Sequence, residues 1–186
     1  MAQESEGEIF LLTIPNLLGF ARILAGPYVA YLLWQGQYEF AFWIFLAAGL
    51  TDAIDGPIAR KMGTANEFGL YLDPIADKFF INIIYIALLI LGFLPSWIVI
   101  LVFFRDFLIS SCILLSKAFK LELFVKPARL SKINTGLQIA LAALIIGGKA
   151  FGLPLGETIR WLMYLMAATT FVSGGQYLAR WLGIRV

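Results

Sequence analysis

Residues 52–77 read DAIDGPIARKMGTANEFGLYLDPIAD and set four aspartates, Asp52, Asp55, Asp73 and Asp77, within otherwise apolar surroundings. A carboxylate at bilayer depth is costly unless it faces a cavity, a partner or an ion, so such a cluster points to function. Asp52 and Asp55 are three residues apart and Asp73 and Asp77 four apart, so on helices each pair shares a face. The residues between the pairs turn the chain back, which lets two successive helices pool their acids.

Working outward, 61% of the 186 residues are hydrophobic and only 14% charged, well above the roughly 45–50% apolar content of a soluble domain. Apolar runs of about 20 residues, the length that crosses a hydrocarbon core, fit six times, near 14–34, 38–60, 68–91, 96–117, 130–148 and 158–181. Breakers separate them: Gln35-Gly36-Gln37, Gly92 with Pro95, Gly147-Gly148, and Pro154 with Gly156. The expected fold is all-α, an integral membrane bundle of six transmembrane helices forming one domain over 1–186. Residues 1–12 are expected to be a short cytoplasmic or juxtamembrane segment. Asp73-Pro74 reads as the start of the third helix, with Asp as cap and Pro in the first turn, or as a kink within a longer one.

Basic residues set the orientation. Arg60 and Lys61 follow the second span, Lys117, Lys120, Lys126, Arg129 and Lys132 surround the junction after the fourth, and Arg180 and Arg185 lie near the end. The opposite connections hold Lys149 and Arg160. Both termini and the acidic cluster are therefore expected at the cytoplasmic face. The acidic opening, with Glu4, Glu6 and Glu8, does not suit a transit peptide and favours a bacterial inner membrane. Basic residues that flank spans without a soluble scaffold give no reason to expect nucleic-acid binding.

There is no histidine, and the one cysteine is Cys112. That excludes a Cys/His zinc site and a Ser-His or Cys-His nucleophile. Four carboxylates close together repel strongly at low dielectric. Divalent cations relieve that repulsion, and all-oxygen ligation selects the hard ions Mg²⁺ or Mn²⁺. Two such ions can share four carboxylates and clamp a phosphoryl group during in-line displacement. Gly56, Ala59 and Gly69 provide small side chains where a bulky ligand must approach, and Arg60 offers a fork suited to a diphosphate. The competing structural reading pairs the aspartates with Arg60, Lys61 and Lys78. The competing functional one is a cation transporter, since its midplane sites also use intramembrane acids; the chain shows no convincing inverted repeat.

The string Asp52-x-x-Asp55-Gly56-x-x-Ala59-Arg60, eight residues, Gly69-x-x-x-Asp73-x-x-x-Asp77 resembles the signature of the CDP-alcohol phosphotransferases at every fixed position. The similarity runs from Ile14-Pro15-Asn16 through the fifth span. That resemblance implies six-span homodimers that displace CMP from a CDP-linked lipid or alcohol at a two-metal site. By position it implies that Asp52, Asp55 and Asp73 hold the metals and that Asp77 removes the acceptor's proton, with or without touching an ion. Asp52, Gly56, Ala59, Arg60 and Gly69 would bind the CDP moiety.

The acceptor side resembles two branches of that family. Phosphatidylglycerophosphate synthases tend to show Arg-Glu, a second arginine about two turns later, then Gly-Lys-x-Lys-Thr. Here Arg105-Asp106, Ile113 and Ser131-Lys132-Ile133-Asn134-Thr135 stand instead, which resembles the CMP-forming cardiolipin synthases. Glycerol 3-phosphate, a dianion, should want several cationic contacts. Arg105 with Lys132, aided by Arg129, suits the single phosphodiester of phosphatidylglycerol, unless Arg105 simply pairs with Asp106. The expected partners are therefore CDP-diacylglycerol, with phosphatidylglycerol as acceptor and glycerol 3-phosphate as the alternative, and membrane lipids.

Overall fold

The computed structural model describes the backbone of residues 14–62, 67–118 and 129–181, and side chains within 19–51, 78–111, 130–176 and at 178 and 179. Among the described residues there are six helices: α1 (Ile14–Trp34), α2 (Tyr38–Met62), α3 (Glu67–Ile90), α4 (Ser96–Ala118), α5 (Arg129–Ala150) and α6 (Gly156–Trp181). Each boundary lies within two residues of the run predicted from apolar length alone. Residues 1–12 lie outside the described residues.

Local sequence is decided at one point and corrected at another. The third helix begins at Glu67, so of the two readings of Asp73-Pro74 the cap is excluded and Pro74 sits within a longer helix. Pro74 thus has no N–H to offer the carbonyl of Leu70 one turn back. Gly147 and Gly148 do not break the fifth helix either. Both are buried inside α5, and the ring of Phe42 lies where a side chain at Gly147 would otherwise stand: a Cβ on Gly147 would come 2.8 Å from Phe42 Cε2.

Three connections are closed by glycine in the left-handed region. Gly36, Gly92 and Gly152 have φ of 74°, 73° and 63°, where a Cβ costs about 1–2 kcal/mol. After α1, Gly36 N–H donates to the Leu33 carbonyl at 3.1 Å and Gln37 N–H to that of Leu32 at 2.9 Å. After α5, Leu153 N–H reaches back to the Gly148 carbonyl at 3.0 Å. These bonds satisfy carbonyls that the helix ends leave orphaned.

The chain divides into two compact units: residues 1–88 with 146–153, and residues 89–145 with 154–186. In the first, α1 packs on α2 and both meet α3 at one aromatic. Phe80 stacks on Phe45 with ring centroids 5.6 Å apart, and its Cα lies 3.5 Å from where a Cβ on Gly26 would stand. Val29, Leu33, Ile84 and Tyr85 are fully buried around this junction. Phe42 forms edge contacts with Trp43 and Phe151. In the second unit α4 packs on α6, over a core that includes Ile98, Val102, Leu141 and Met166.

Large apolar side chains also face outward, among them Leu24, Phe107, Trp161 and Phe171, each more than 70% exposed. Exposed apolar side chains of this size suit a surface that faces lipid or a partner. Among the described residues one helix, over Leu130–Ala150, is long and apolar enough by itself to cross a membrane, and the apolar stretches Tyr38–Thr51 and Lys78–Ile90 are shorter.

Candidate active site

The first unit carries the acidic motif. Asp52, Asp55, Gly56, Ala59 and Arg60 fall on the last three turns of α2, and Gly69, Asp73 and Asp77 on the first three turns of α3. Their side chains lie outside the described residues, but the helical register relates them to a contact that is described. Asp52 lies seven residues beyond Phe45, two turns and about 10 Å along α2. Asp73 lies seven residues before Phe80, the same two turns along α3. Phe45 and Phe80 stack on one another, and seven residues bring a helix back to nearly the same face. The stacked face therefore continues, on both helices, into the positions of Asp52 and Asp73. Asp77 lies one turn from Phe80, and Asp55 one turn beyond Asp52.

Carboxylate oxygens, the donors that the sequence places at these positions, are of the kind that hard divalent cations take. Among the described residues no group of three or more His, Cys, Asp or Glu forms a metal cluster elsewhere.

The second unit holds a different polar centre, built by α4, α5 and α6. Arg105 is only 5% exposed and Asp106 6%, and their side chains pair at 2.7 Å. Arg105 does more than pair with its neighbour. Its Nε donates to Ser173 Oγ on α6 at 3.3 Å and its Nη2 to Ser131 Oγ on α5 at 2.5 Å. The arginine stem passes Gly174, its Cγ 3.7 Å from where a Cβ would be, an ordinary contact distance. One turn beyond Ser131 stands Asn134, fully buried. Its Oδ1 accepts from the hydroxyls of Thr169 and Thr170, each at 2.8 Å. Ser173 Oγ in turn donates to the Thr170 carbonyl at 3.1 Å.

A ring of polar side chains thus ties three helices around one guanidinium. Arg105 is at its centre, whereas Lys132 is exposed and the side chain of Arg129, the first residue of α5, lies outside the described residues. Sequence reading missed Asn134, Thr169, Thr170 and Ser173 as a set. Their spacing held a signal: Ser131, Asn134 and Gln138 repeat at helical intervals in α5, as do Thr169, Thr170 and Ser173 in α6.

A helical membrane chain with paired aspartates on consecutive helices defines a class, and comparison identifies it. The model of the CDP-alcohol phosphatidyltransferase family matches residues 12–172, and the chain belongs to that family. It is 33% identical over 183 residues to a probable CMP-forming cardiolipin synthase of Drosophila melanogaster, covering 90% of this chain and 57% of the fly protein. It is 32% identical to a chloroplastic CDP-diacylglycerol-glycerol-3-phosphate 3-phosphatidyltransferase of Oryza sativa, covering 94% of this chain and 58% of that one. A CDP-diacylglycerol-glycerol-3-phosphate 3-phosphatidyltransferase of Rickettsia typhi is 33% identical, with 88% of this chain and 94% of the relative covered. The chain therefore spans less than two thirds of the fly and rice relatives and nearly all of the rickettsial one. The family is membrane-associated and depends on divalent metal.

Proposed function

We propose that the protein is a CDP-diacylglycerol phosphatidyltransferase that moves the phosphatidyl group to phosphatidylglycerol, giving cardiolipin and CMP. The observation that carries this reading is the register of α2 and α3: the face on which Phe45 stacks against Phe80 runs on into the positions of Asp52 and Asp73, one from each pair of aspartates. In this reading all six helices span the membrane as one domain, the protein is a homodimer in a bacterial inner membrane, and the site opens to the cytoplasm.

Asp52, Asp55 and Asp73 would hold two Mg²⁺ or Mn²⁺ ions. When bound, these supply positive charge to the diphosphate and to the departing CMP. Gly56, Ala59 and Gly69 let the nucleotide approach the helix backbones, with Asp52 beside it, and Arg60 holds the diphosphate with its fork. The acceptor hydroxyl is a poor nucleophile near neutral pH. Asp77 accepts its proton as the new oxygen–phosphorus bond forms and the bond to CMP breaks. Arg105, with Lys132 and Arg129, serves the acceptor's phosphodiester.

Glycerol 3-phosphate is the second reading, favoured by the rickettsial relative that this chain matches over nearly its full length. Purified protein supplied with CDP-diacylglycerol, Mg²⁺ and one acceptor at a time separates the two. CMP release with phosphatidylglycerol supports the first reading, and release with glycerol 3-phosphate alone overturns it. Asp77→Asn should keep metal binding and lose turnover by at least about 10²-fold, whereas Asp55→Asn should lose both. Ion flux into liposomes without CMP release would instead indicate a cation transporter.

A further inference from the structure

Arg22 is a buried charge to which the proposed reaction gives no role. It is 4% exposed and belongs to the inward stripe of α1, formed by Gly19, Arg22, Gly26, Val29 and Leu33. Spacings of three and four residues keep these positions on one helix face. From Ile14 to Arg22 is eight residues, about 12 Å along the axis. An arginine near the end of a span ordinarily carries its head out toward water. This one turns inward, so its charge has to be matched inside the first unit.

Helix register names the matching carboxylate. The Cα of Phe80 lies 3.5 Å from where a Cβ on Gly26 would stand, which sets α1 and α3 side by side at that height. Connections of a few residues join α1 to α2 and α2 to α3, so α2 runs opposite to both and α1 and α3 run the same way. Arg22 is four residues before Gly26 and Asp77 three before Phe80, one turn down each helix on the faces that meet. The position of Asp77 is therefore abreast of Arg22. Asp52, seven residues beyond Phe45, falls within one further turn of that height. Glu39, exposed in the first turn of α2, and Glu67, at the start of α3, are each about 15 Å away along the axes.

A guanidinium in this place has two effects of opposite sign. Its fork fixes a carboxylate in one orientation, which serves a group that must meet a substrate proton. Its charge also offsets one of four negative charges at low dielectric and repels an incoming divalent ion.

We propose that Arg22 is a positioning residue of the acidic site, a resident counter-charge that orients Asp77 for the acceptor hydroxyl and loosens the hold of the four acids on divalent ions. The orienting role rests on the transferase reading above.

The test uses the full chain in detergent, with Mg²⁺ alone as the probe and melting temperature as the readout, alongside CMP-release kinetics. Arg22→Met keeps a long flexible side chain and removes the charge. It should reach half-maximal stabilisation at a Mg²⁺ concentration at least about fivefold below that of wild type. Its kcat should fall at least about tenfold, with the KM for CDP-diacylglycerol unchanged. Loss of a residue that only packs helices would instead weaken metal binding and turnover together. Arg22→Lys keeps the charge without the fork, so its Mg²⁺ midpoint should match wild type while its kcat falls. Should Arg22→Met not fold, adding Asp77→Asn removes the partner charge and should restore folding.

A Mg²⁺ midpoint in Arg22→Met equal to or above that of wild type overturns the proposal. So does a double variant that also fails to fold, or a raised KM for CDP-diacylglycerol, which would assign Arg22 to the donor. Because the Mg²⁺ midpoint needs no turnover, the two readings fail separately. A lowered midpoint in Arg22→Met with no CMP release by wild type would remove the transferase reading and leave the counter-charge. CMP release by wild type with an unshifted midpoint in the variant would do the reverse.

Discussion

Arg105 is held by three side chains at once: a carboxylate beside it and serines on two other helices. A buried ion pair adds little net stability, but removing one member leaves an uncompensated charge. Asp106→Leu should therefore lower stability by about 3–5 kcal/mol, read as a fall in the midpoint of thermal unfolding in detergent. The double variant Asp106→Leu with Arg105→Met removes both charges and should recover most of that loss. A midpoint for Asp106→Leu equal to wild type would show that the pair is not needed to neutralise the guanidinium. At this scale the sequence was readable where spacing is strict. The aspartates stood out because four acids at helical spacing in a largely apolar chain are too many to be explained easily as ion-pair partners. Asn134, Thr170 and Ser173 did not, because single hydroxyls and amides in apolar helices commonly bond to their own backbone, and only the third dimension joins them.

Helices are where apolar length served best. All six runs were legible because a helix that must bury or expose apolar surface over about 20 residues is interrupted by few polar breaks. The errors came from Gly and Pro, whose meaning depends on neighbours. Pro74 lies inside α3, and Gly147-Gly148 lies inside α5, with Gly147 as a notch for Phe42. The contrast between glycines of one helix makes a prediction. Gly147→Ala drives a methyl into a ring already confined by Trp43 and Phe151, and overpacking of this kind costs about 1–3 kcal/mol. Gly136→Ala, in the same helix, meets nothing within 4 Å and should gain about 0.5–1 kcal/mol from helix preference. Unfolding midpoints of the two variants should move in opposite directions, and similar shifts would mean that the notch is not what Gly147 provides.

For the molecule as a whole, side-chain chemistry differs between the two units: one carries the acidic motif and the other a polar ring around an arginine. Acids placed near each other at low dielectric favour a state with bound cation. Chelation should abolish CMP release and lower the melting temperature, with Mg²⁺ or Mn²⁺ restoring both. At a hundred times its dissociation constant a single bound ion adds about 2.7 kcal/mol. A melting temperature indifferent to chelator and to added Mg²⁺ would argue against an ion at the acidic helices. The acidic motif was legible from sequence because it is contiguous. The polar ring was not, since its groups come from three helices spread over residues 105–173.

The polar ring of α4, α5 and α6 also bears on how these helices find one another. In lipid, apolar helix faces slide past each other with little preference, since the solvent is as greasy as they are. Rotating any one of the three by a single residue, about 100°, would detach Ser131, Asn134 or Ser173 from its mates and strand a guanidinium or an amide in hydrocarbon. Wrong dockings are thus penalised by what they leave unsatisfied, and the ring acts as a rotational lock that proofreads assembly before any substrate arrives.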